Sequence, residues 1–413
     1  MNNNQIKYSI LLPTFNKCEY LYHTIKSVLN SNYHDFELLV SDDHSTDLTS
    51  EILNKFDDKR LKIIKPPIKL TQTKNYEFLL TKANGKWVTI LGDDDGLQPY
   101  FFETLDKYIN KYRDIELIHS KPAFYYWDNI EDIYGTRVCD YQNFFRKEKI
   151  KNSKLSLLFA LAGLRQRTSL PMIYTSGVVK IDLVKKIKLR SNNFFFHSVI
   201  PDYYSMITLL FETKKYLSIN EPLFWVGSSS KSAGRGVKIY IDVNKSVKKF
   251  DFINENLEVS KNISIKLHQI GISSIYFYEC VLKHPYISKN WKNSLIKYFV
   301  YASSEVIFEN LRKNNPETIK IKISNKEFLD EILEELKKNN LSLNLHKFFK
   351  IMIYLIFKIK KINIFLLRFI KYIFKLISNN YLILVSHDRK KFPDFNICNN
   401  YIKKKLTKPI FIK

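Results

Sequence analysis

Three consecutive aspartates, Asp93, Asp94 and Asp95, break the stretch VTILGDDDGLQP between an apolar run and a proline. Carboxylates this close repel one another, and where partly buried they resist full ionisation unless something positive holds them. Either the run is a solvated turn or it is waiting for a cation. Further polar residues with chemical potential stand at comparable points: Thr14 and Asn16 in LLPTFNK, Asp42 and Asp43 in VSDDHSTD, and Asp202 in IPDYYSMI. Lys231 and Arg235 lie in the basic loop GSSSKSAGRG.

The elements that must position these residues alternate in type. YSILLP (8–13), FELLV (36–40), LKII (61–64), WVTIL (87–91) and IELIH (115–119) are short and rich in Ile, Leu and Val, the pattern of buried strands. Between them, EYLYHTIKSVLN places Leu21, Ile25, Val28 and Leu29 on one helical face, and STDLTSEILNKF opens with a cap cluster in which Asp47 reads as a capping residue. TQTKNYEFLLTKANG predicts a third helix, ended by Asn84 and Gly85. This βαβα rhythm predicts an open, mostly parallel sheet with helices on both faces, and ligands of such sheets gather at the carboxyl ends of the strands. That rule puts Thr14 and Asn16, Asp42 and Asp43, and Asp93 to Asp95 on one rim. Farther on, MIYTSGVV is a strand candidate. PDYYSMITLLF predicts a helix opened by Pro201 and Asp202, where the carboxylate is either functional or an ordinary cap. A helix N-terminus is expected to lower its pKa.

The chain has 413 residues, 45% of them hydrophobic and 15% aromatic, a globular composition large enough for two or three cores. Its formal charge of +25 is unevenly spread. Residues 1–150 hold 20 Lys/Arg against 22 Asp/Glu, which leaves 46 against 19 for the remainder, so a polyanionic partner would be met by the second part. Cys18, Cys139, Cys280 and Cys398 are far apart in sequence and suggest neither a zinc site nor a disulfide scaffold. His197, beside NFFF, reads as packed or acceptor-lining rather than as a metal ligand, with no second His at ligand spacing. The first residues lack the charged head and long apolar core of a signal peptide, and a cytoplasmic location is expected.

LLPTFNK, VSDDHSTD and LGDDDG, in that order at the ends of the first, second and fourth strands, together resemble the family 2 glycosyltransferases over about residues 7–235, with TKN (73–75) as a fourth matching segment. The resemblance implies a GT-A, Rossmann-like mixed sheet with helices on both faces, followed by a mainly α-helical C-terminal region. It also implies an inverting transfer of a sugar from a nucleotide donor, expected to be UDP-linked. Mn2+ or Mg2+ would neutralise the leaving diphosphate and be the positive partner of the acidic run. Under it Asp95 is the expected metal ligand, with Asp93 beside it. Asp93 and Asp94 are placed for the metal's water shell or the ribose hydroxyls. The usual family form is Asp-x-Asp-Asp, whose first aspartate is Gly92 here. Thr14 and Asn16 are expected against the nucleotide and Asp43 against a nucleobase N–H. Lys74 stands where the family often has arginine, without that side chain's bidentate fork. Asp202 is the expected catalytic base for the acceptor hydroxyl. Lys231 and Arg235 would sit in a lid over the diphosphate, although basic loops are often merely solvated. The signature Gln-x-x-Arg-Trp of polymerising members is absent, so the resemblance favours addition of one or a few sugars.

Residues 1–240 are thus expected to form the transferase domain, 241–340 a helical region and 341–413 a basic amphipathic tail. From Leu336 to His387 the chain has ten Lys/Arg and no acidic residue, and the basic residues of 347–377 recur on one side of a helix wheel. Ile351–Phe357, the longest uncharged run there, is too short to span a bilayer. Such a face suits either an anionic membrane surface or a solvated bundle side. The combined expectation is a peripheral enzyme at the inner membrane face with a saccharide or lipid-linked saccharide acceptor, in bacterial surface-polysaccharide or lipooligosaccharide assembly. No nucleic-acid partner is expected. The competing readings are a non-catalytic basic protein binding membrane or nucleic acid, and a sugar-phosphate nucleotidyltransferase. The latter would need a glycine-rich loop that LLPTFNKCEY lacks.

Overall fold

The computed structural model describes residues 6–128, 138–144, 148–161, 169–232, 280–281, 283–285 and 381–406. In chain order its first strands are Tyr8–Thr14 (β1), Phe36–Asp42 (β2), Leu61–Ile64 (β3), Trp87–Ile90 (β4) and Gly96–Leu97 (β5). Leu117–Ser120 (β6), Ala123–Tyr126 (β7), Cys139–Phe144 (β8) and Glu148–Asn152 (β9) follow. The last are Gly177–Lys180 (β10), Lys215–Ile219 (β11), Phe224–Ser228 (β12) and Tyr381–Ser386 (β13). The helices are Cys18–Leu29 (α1), Thr49–Leu53 (α2), Gln72–Lys82 (α3) and Phe101–Lys111 (α4). Ser153–Leu161 (α5), Ile181–Arg190 (α6), Pro201–Glu212 (α7) and Phe395–Leu406 (α8) complete the set.

Eight strands form one sheet in the order β3-β2-β1-β4-β10-β6-β11-β9. The first four are parallel, as the crossover helices between them require, and register sets Thr14 opposite Asp42 so that the polar strand ends share one rim. β10 runs antiparallel to β4 and β6, which makes the sheet mixed. The near-continuous apolar runs follow from burial on both faces. Leu11 and Leu39 pack with Leu79 and Leu80 of α3 on one side, while Ile10, Leu12, Leu38 and Val40 pack with Leu21, Ile25 and Val28 of α1 on the other.

The expected GT-A type arrangement of a mixed sheet with helices on both faces is therefore present. MIYTSGVV contributes a strand only from Gly177, because Thr175 takes a left-handed backbone (φ 48°) that breaks extension just before it. A second, five-stranded sheet, β13-β8-β7-β12-β5, was not legible in the sequence. It is also where residues 381–406 belong. β13 is a strand inside the segment read as a helical tail, and α8 packs Phe395, Cys398 and Ile402 into a core shared with Tyr125, Trp127, Tyr141 and Trp225. The basic stripe of 347–377 lies outside the described residues, as does 241–340 apart from 280–281 and 283–285. Among the described residues no helix is long and apolar enough to cross a membrane.

Candidate active site

The rim loops after β1 and β2 are knitted together. The Asp43 N–H donates to the Thr14 carbonyl (3.0 Å), and Asn16 and His44 adopt left-handed backbones (φ 54° and 59°) that turn both loops sharply. Asn16 joins this knit through both side chain and backbone: its Oδ1 accepts from the Thr46 N–H at 2.7 Å, and its backbone N–H donates to Ser45 Oγ at 3.0 Å. Asp42 accepts the Ser45 N–H (3.0 Å), and Asp43 accepts the Leu70 N–H (2.7 Å), which draws the segment before α3 over the rim. Asp47 supports the starts of two helices from just outside their caps, close to the capping role its sequence position suggests. It takes the Thr49 N–H at α2 and the Cys18 N–H at the start of α1.

The acidic run follows β4 and is held from three sides by its backbone. Thr24 of α1 donates to the carbonyls of Asp93 (3.0 Å) and Asp95 (2.7 Å), and Trp127 Nε1 donates to that of Asp94 (2.9 Å). The three side chains then diverge. Asp95 turns inward, its two oxygens accepting the N–H of Gly92 (2.9 Å) and of Gly227 (2.7 Å), with the Tyr174 hydroxyl as a further donor. Asp93 accepts from Thr14 Oγ1 (3.0 Å) and pairs with Lys17 Nζ (2.8 Å). Asp94 accepts from Ser229 and Ser232, and lies 3.7 Å from the same ammonium. The departure from the family's acidic pattern at Gly92 has a steric reason. A Cβ there would lie 2.3 Å from the Tyr174 hydroxyl and 2.4 Å from Asp95 Oδ2.

All three carboxylates are buried, and among the described residues the Lys17 ammonium pairs with Asp93 and lies close to Asp94. Burial, then repulsion from Asp94, pushes Asp95 up to about 8, against the pull of the Gly227 N–H and Lys17. Burial likewise raises Asp93 even though Lys17 pulls it down. Burial disfavours the Lys17 charge, yet Asp93 and Asp94 outweigh it and raise its pKa. A fully ionised loop would hold two negative charges beyond what Lys17 cancels. With oxygen donors from neighbouring aspartates, that surplus fits a divalent cation better than a second monovalent one.

Asp202 lies in the first turn of α7. Burial, then the charges of Asp202 and Asp93, raises the pKa of Tyr76 on α3, and its ring stacks on Tyr174 at 6.0 Å. Thr73 ties α3 to the approach of α7 through the Ser198 carbonyl (3.2 Å). The helix N-terminus was expected to depress Asp202, but burial wins. Its pKa is raised, against the smaller pull of N–H groups from Tyr203 and Asp202 itself.

The other expected residues scatter more widely. Lys74 is exposed at the start of α3, where its N–H meets the Thr71 cap. Lys231 reaches Glu19 (2.6 Å) and the Asn16 carbonyl (3.2 Å), latching the loop after β12 onto α1 instead of pointing at the acidic run. Arg235 lies outside the described residues. His197 is packed, its ring 5.9 Å from Tyr204 and its Nε2 3.2 Å from the Ser191 carbonyl. Sequence reasoning missed Lys17, Ser229, Ser232, Trp127 and Tyr174. Only the first three left a trace, as a lysine beside Asn16 and serines inside a loop noticed for its basic residues.

Gly227 gives the first testable consequence, since a Cβ there would sit 1.7 Å from the Asp94 carbonyl oxygen, part of the backbone it must leave undisturbed. Gly227→Ala is expected to destabilise the chain by about 2 kcal/mol or more and to displace the acidic loop, read as a lowered melting temperature together with lost nucleotide binding.

Comparison with known proteins bears on this arrangement. Residues 9–167 match the family model described as Glycosyl transferase family 2. The GalNAc(5)-diNAcBac-PP-undecaprenol beta-1,3-glucosyltransferase of Campylobacter jejuni is 36% identical over 108 residues, 25% of this chain and 35% of that protein. An uncharacterised glycosyltransferase of Methanocaldococcus jannaschii is 28% identical over 206 residues, 47% of this chain and 65% of the relative. Among solved structures, Staphylococcus aureus TarS 1–349 in complex with UDP-GlcNAc aligns over 73% of this chain and 82% of its own, at 16% identity and a TM-score of 0.45. The chain spans about a third of the length of the first of these relatives. On the matched residues, and with the acidic run at the carboxyl ends of a β3-β2-β1-β4 sheet, the chain carries a glycosyltransferase domain of family 2.

Proposed function

We propose that the chain is a metal-dependent, inverting glycosyltransferase that moves a sugar from a UDP-linked donor to a saccharide acceptor, lipid-linked as in the Campylobacter relative, at a membrane surface. The observation that carries this reading is the packing of three buried carboxylates, Asp93, Asp94 and Asp95, beside the Lys17 ammonium at the carboxyl ends of the strands, where ligands of such sheets gather. A bound Mn2+ or Mg2+ would offset charge on the departing diphosphate. The protein's part is positional. Asp93 and Asp94 present oxygens toward the Lys17 ammonium and would hold the cation. Asp95, the metal ligand by resemblance, is the strut that closes the loop on Gly92 and Gly227. Asp43 and Thr14 face the nucleoside, and Lys74 stands at the rim. Asp202 holds a raised-pKa carboxylate ready to take the acceptor's proton, a better base than an ordinary aspartate. Ser229 and Ser232 bring the loop after β12 down onto Asp94, and Lys231 latches it to Glu19. Donor-hydrolysis assays with and without EDTA test the reading, which requires UDP release that stops when the metal is removed.

Lys17 supplies a second, structural test. Removing it leaves buried carboxylates unpaired, so Lys17→Met is expected to cost the metal-free chain about 2–4 kcal/mol. By size scaling that is roughly 2–5 °C in melting temperature for a chain of this length. Mn2+ is then expected to restore more stability to the variant than it adds to the wild type, measured by paired melts.

A further inference from the structure

We propose that α8, some three hundred residues downstream of the acidic loop, is its positioning element, acting through Asn399 and Phe395. The inference rests on reading that loop as the cation- and diphosphate-binding element. Asn399 is buried and uses both ends of its carboxamide: Nδ2 donates to the Leu97 carbonyl (3.0 Å), and Oδ1 accepts from Trp225 Nε1 (2.7 Å). These two partners flank Asp95. Leu97 lies two residues after it, and Trp225 lies two before Gly227, whose N–H holds the Asp95 carboxylate. β5 and β12 pair over only two residues, Leu97 with Phe224 and Gly96 with Trp225, too short a ladder to fix itself. Asn399 staples the pair from outside.

Phe395, one turn earlier on the same helical face, packs its ring against the loop. A Cβ on Gly96 would fall 2.6 Å from its ring, so the backbone directly after Asp95 rests on that ring. Asn396 donates to the His23 carbonyl of α1 (3.1 Å), next to Thr24, whose hydroxyl holds the carbonyls of Asp93 and Asp95. The helix thus touches three supports of the acidic run: β5, β12 and α1. Adjacent like charges push such a loop apart, and productive metal and substrate geometry tolerates little drift. An external brace answers that need. A buried asparagine satisfied at both ends specifies geometry in a way that an apolar residue filling the same space would not.

Hydrogen exchange on the full chain tests this with Asn399→Leu, Asn399→Asp and Phe395→Ala, and with Asn400→Ala on the exposed face of α8 as the control. In Asn399→Leu, peptides spanning 91–99 and 224–229 are expected to exchange about tenfold faster, the worth of one or two hydrogen bonds, with peptides from β1 and β2 unchanged. Asn399→Asp, which keeps the acceptor for Trp225 and loses the donor to Leu97, falls between. Affinity for Mn2+ with UDP falls in step with the exchange rate across the series. Unchanged exchange at 91–99, or an equal rise throughout the domain, would overturn the proposal and leave α8 a packing element. If the wild type binds neither Mn2+ nor UDP, the functional reading fails, while the exchange pattern still decides whether α8 holds the loop.

Discussion

Asp202→Asn is expected to lower sugar transfer by about 10²–10⁴-fold while UDP and Mn2+ affinities stay within about twofold, the signature of a lost general base. The rival role for an acid after Pro201 is a helix cap, whose loss would cost about 1 kcal/mol of stability and leave turnover intact. Turnover and melting temperature measured on one preparation separate the two. The pH dependence follows from burial. Asp202 holds its proton more tightly than a free aspartate, so the wild-type rate should rise with pH through an apparent pKa above the ordinary carboxylate range. The linked stability runs the other way. A carboxyl whose pKa is raised on folding contributes most below its unfolded value, and the contribution is lost as pH climbs through the folded value. Rate should therefore increase across a window in which stability declines.

The second large effect belongs to the acidic run. Asp93→Asn and Asp94→Asn are each expected to weaken Mn2+ binding and to cut turnover by about 10²–10³-fold, the scale of several kcal/mol of charge stabilisation. Asp95→Asn should fail differently. An amide cannot accept two N–H groups as a carboxylate does, so the Gly227 contact loosens and melting temperature falls along with activity. Manganese binding followed by electron paramagnetic resonance, alongside melting curves, distinguishes lost ligands from a lost strut. A result in which Asp93→Asn binds manganese like the wild type would remove Asp93 from the metal.

The parts of this site that were legible in sequence share one property: they depend on local pattern. Thr14, Asp42 and Asp93 follow apolar runs whose two-sided burial makes them unmistakable strands, and strand ends of a parallel sheet share a rim by construction. Asp47 was readable because capping is decided within a few residues. The rest depends on contacts across long separations. Lys17 matters because the fold sets it against Asp93, and Tyr174 because Thr175 turns the chain at Ile90. Asp202 shows where a local rule was outweighed: the helix end does pull its pKa down, but burial, invisible in the sequence, is larger. Lys231 was read as either a lid residue over the diphosphate or a solvated loop lysine, and its pairing with Glu19 comes from a contact across the fold. The second sheet escaped notice because β5, with two residues, has no periodicity to detect and its partners come from distant stretches.

The central claim is that a nucleoside diphosphate and a divalent cation complete the acidic rim together. Calorimetric titration of the full chain with UDP, in buffer holding Mn2+ and in buffer holding EDTA, addresses it directly. The account predicts UDP binding at least about tenfold tighter with manganese, as expected when the diphosphate shares the cation with Asp93 and Asp94. UDP affinity indifferent to manganese, or no UDP binding in either buffer, would contradict it.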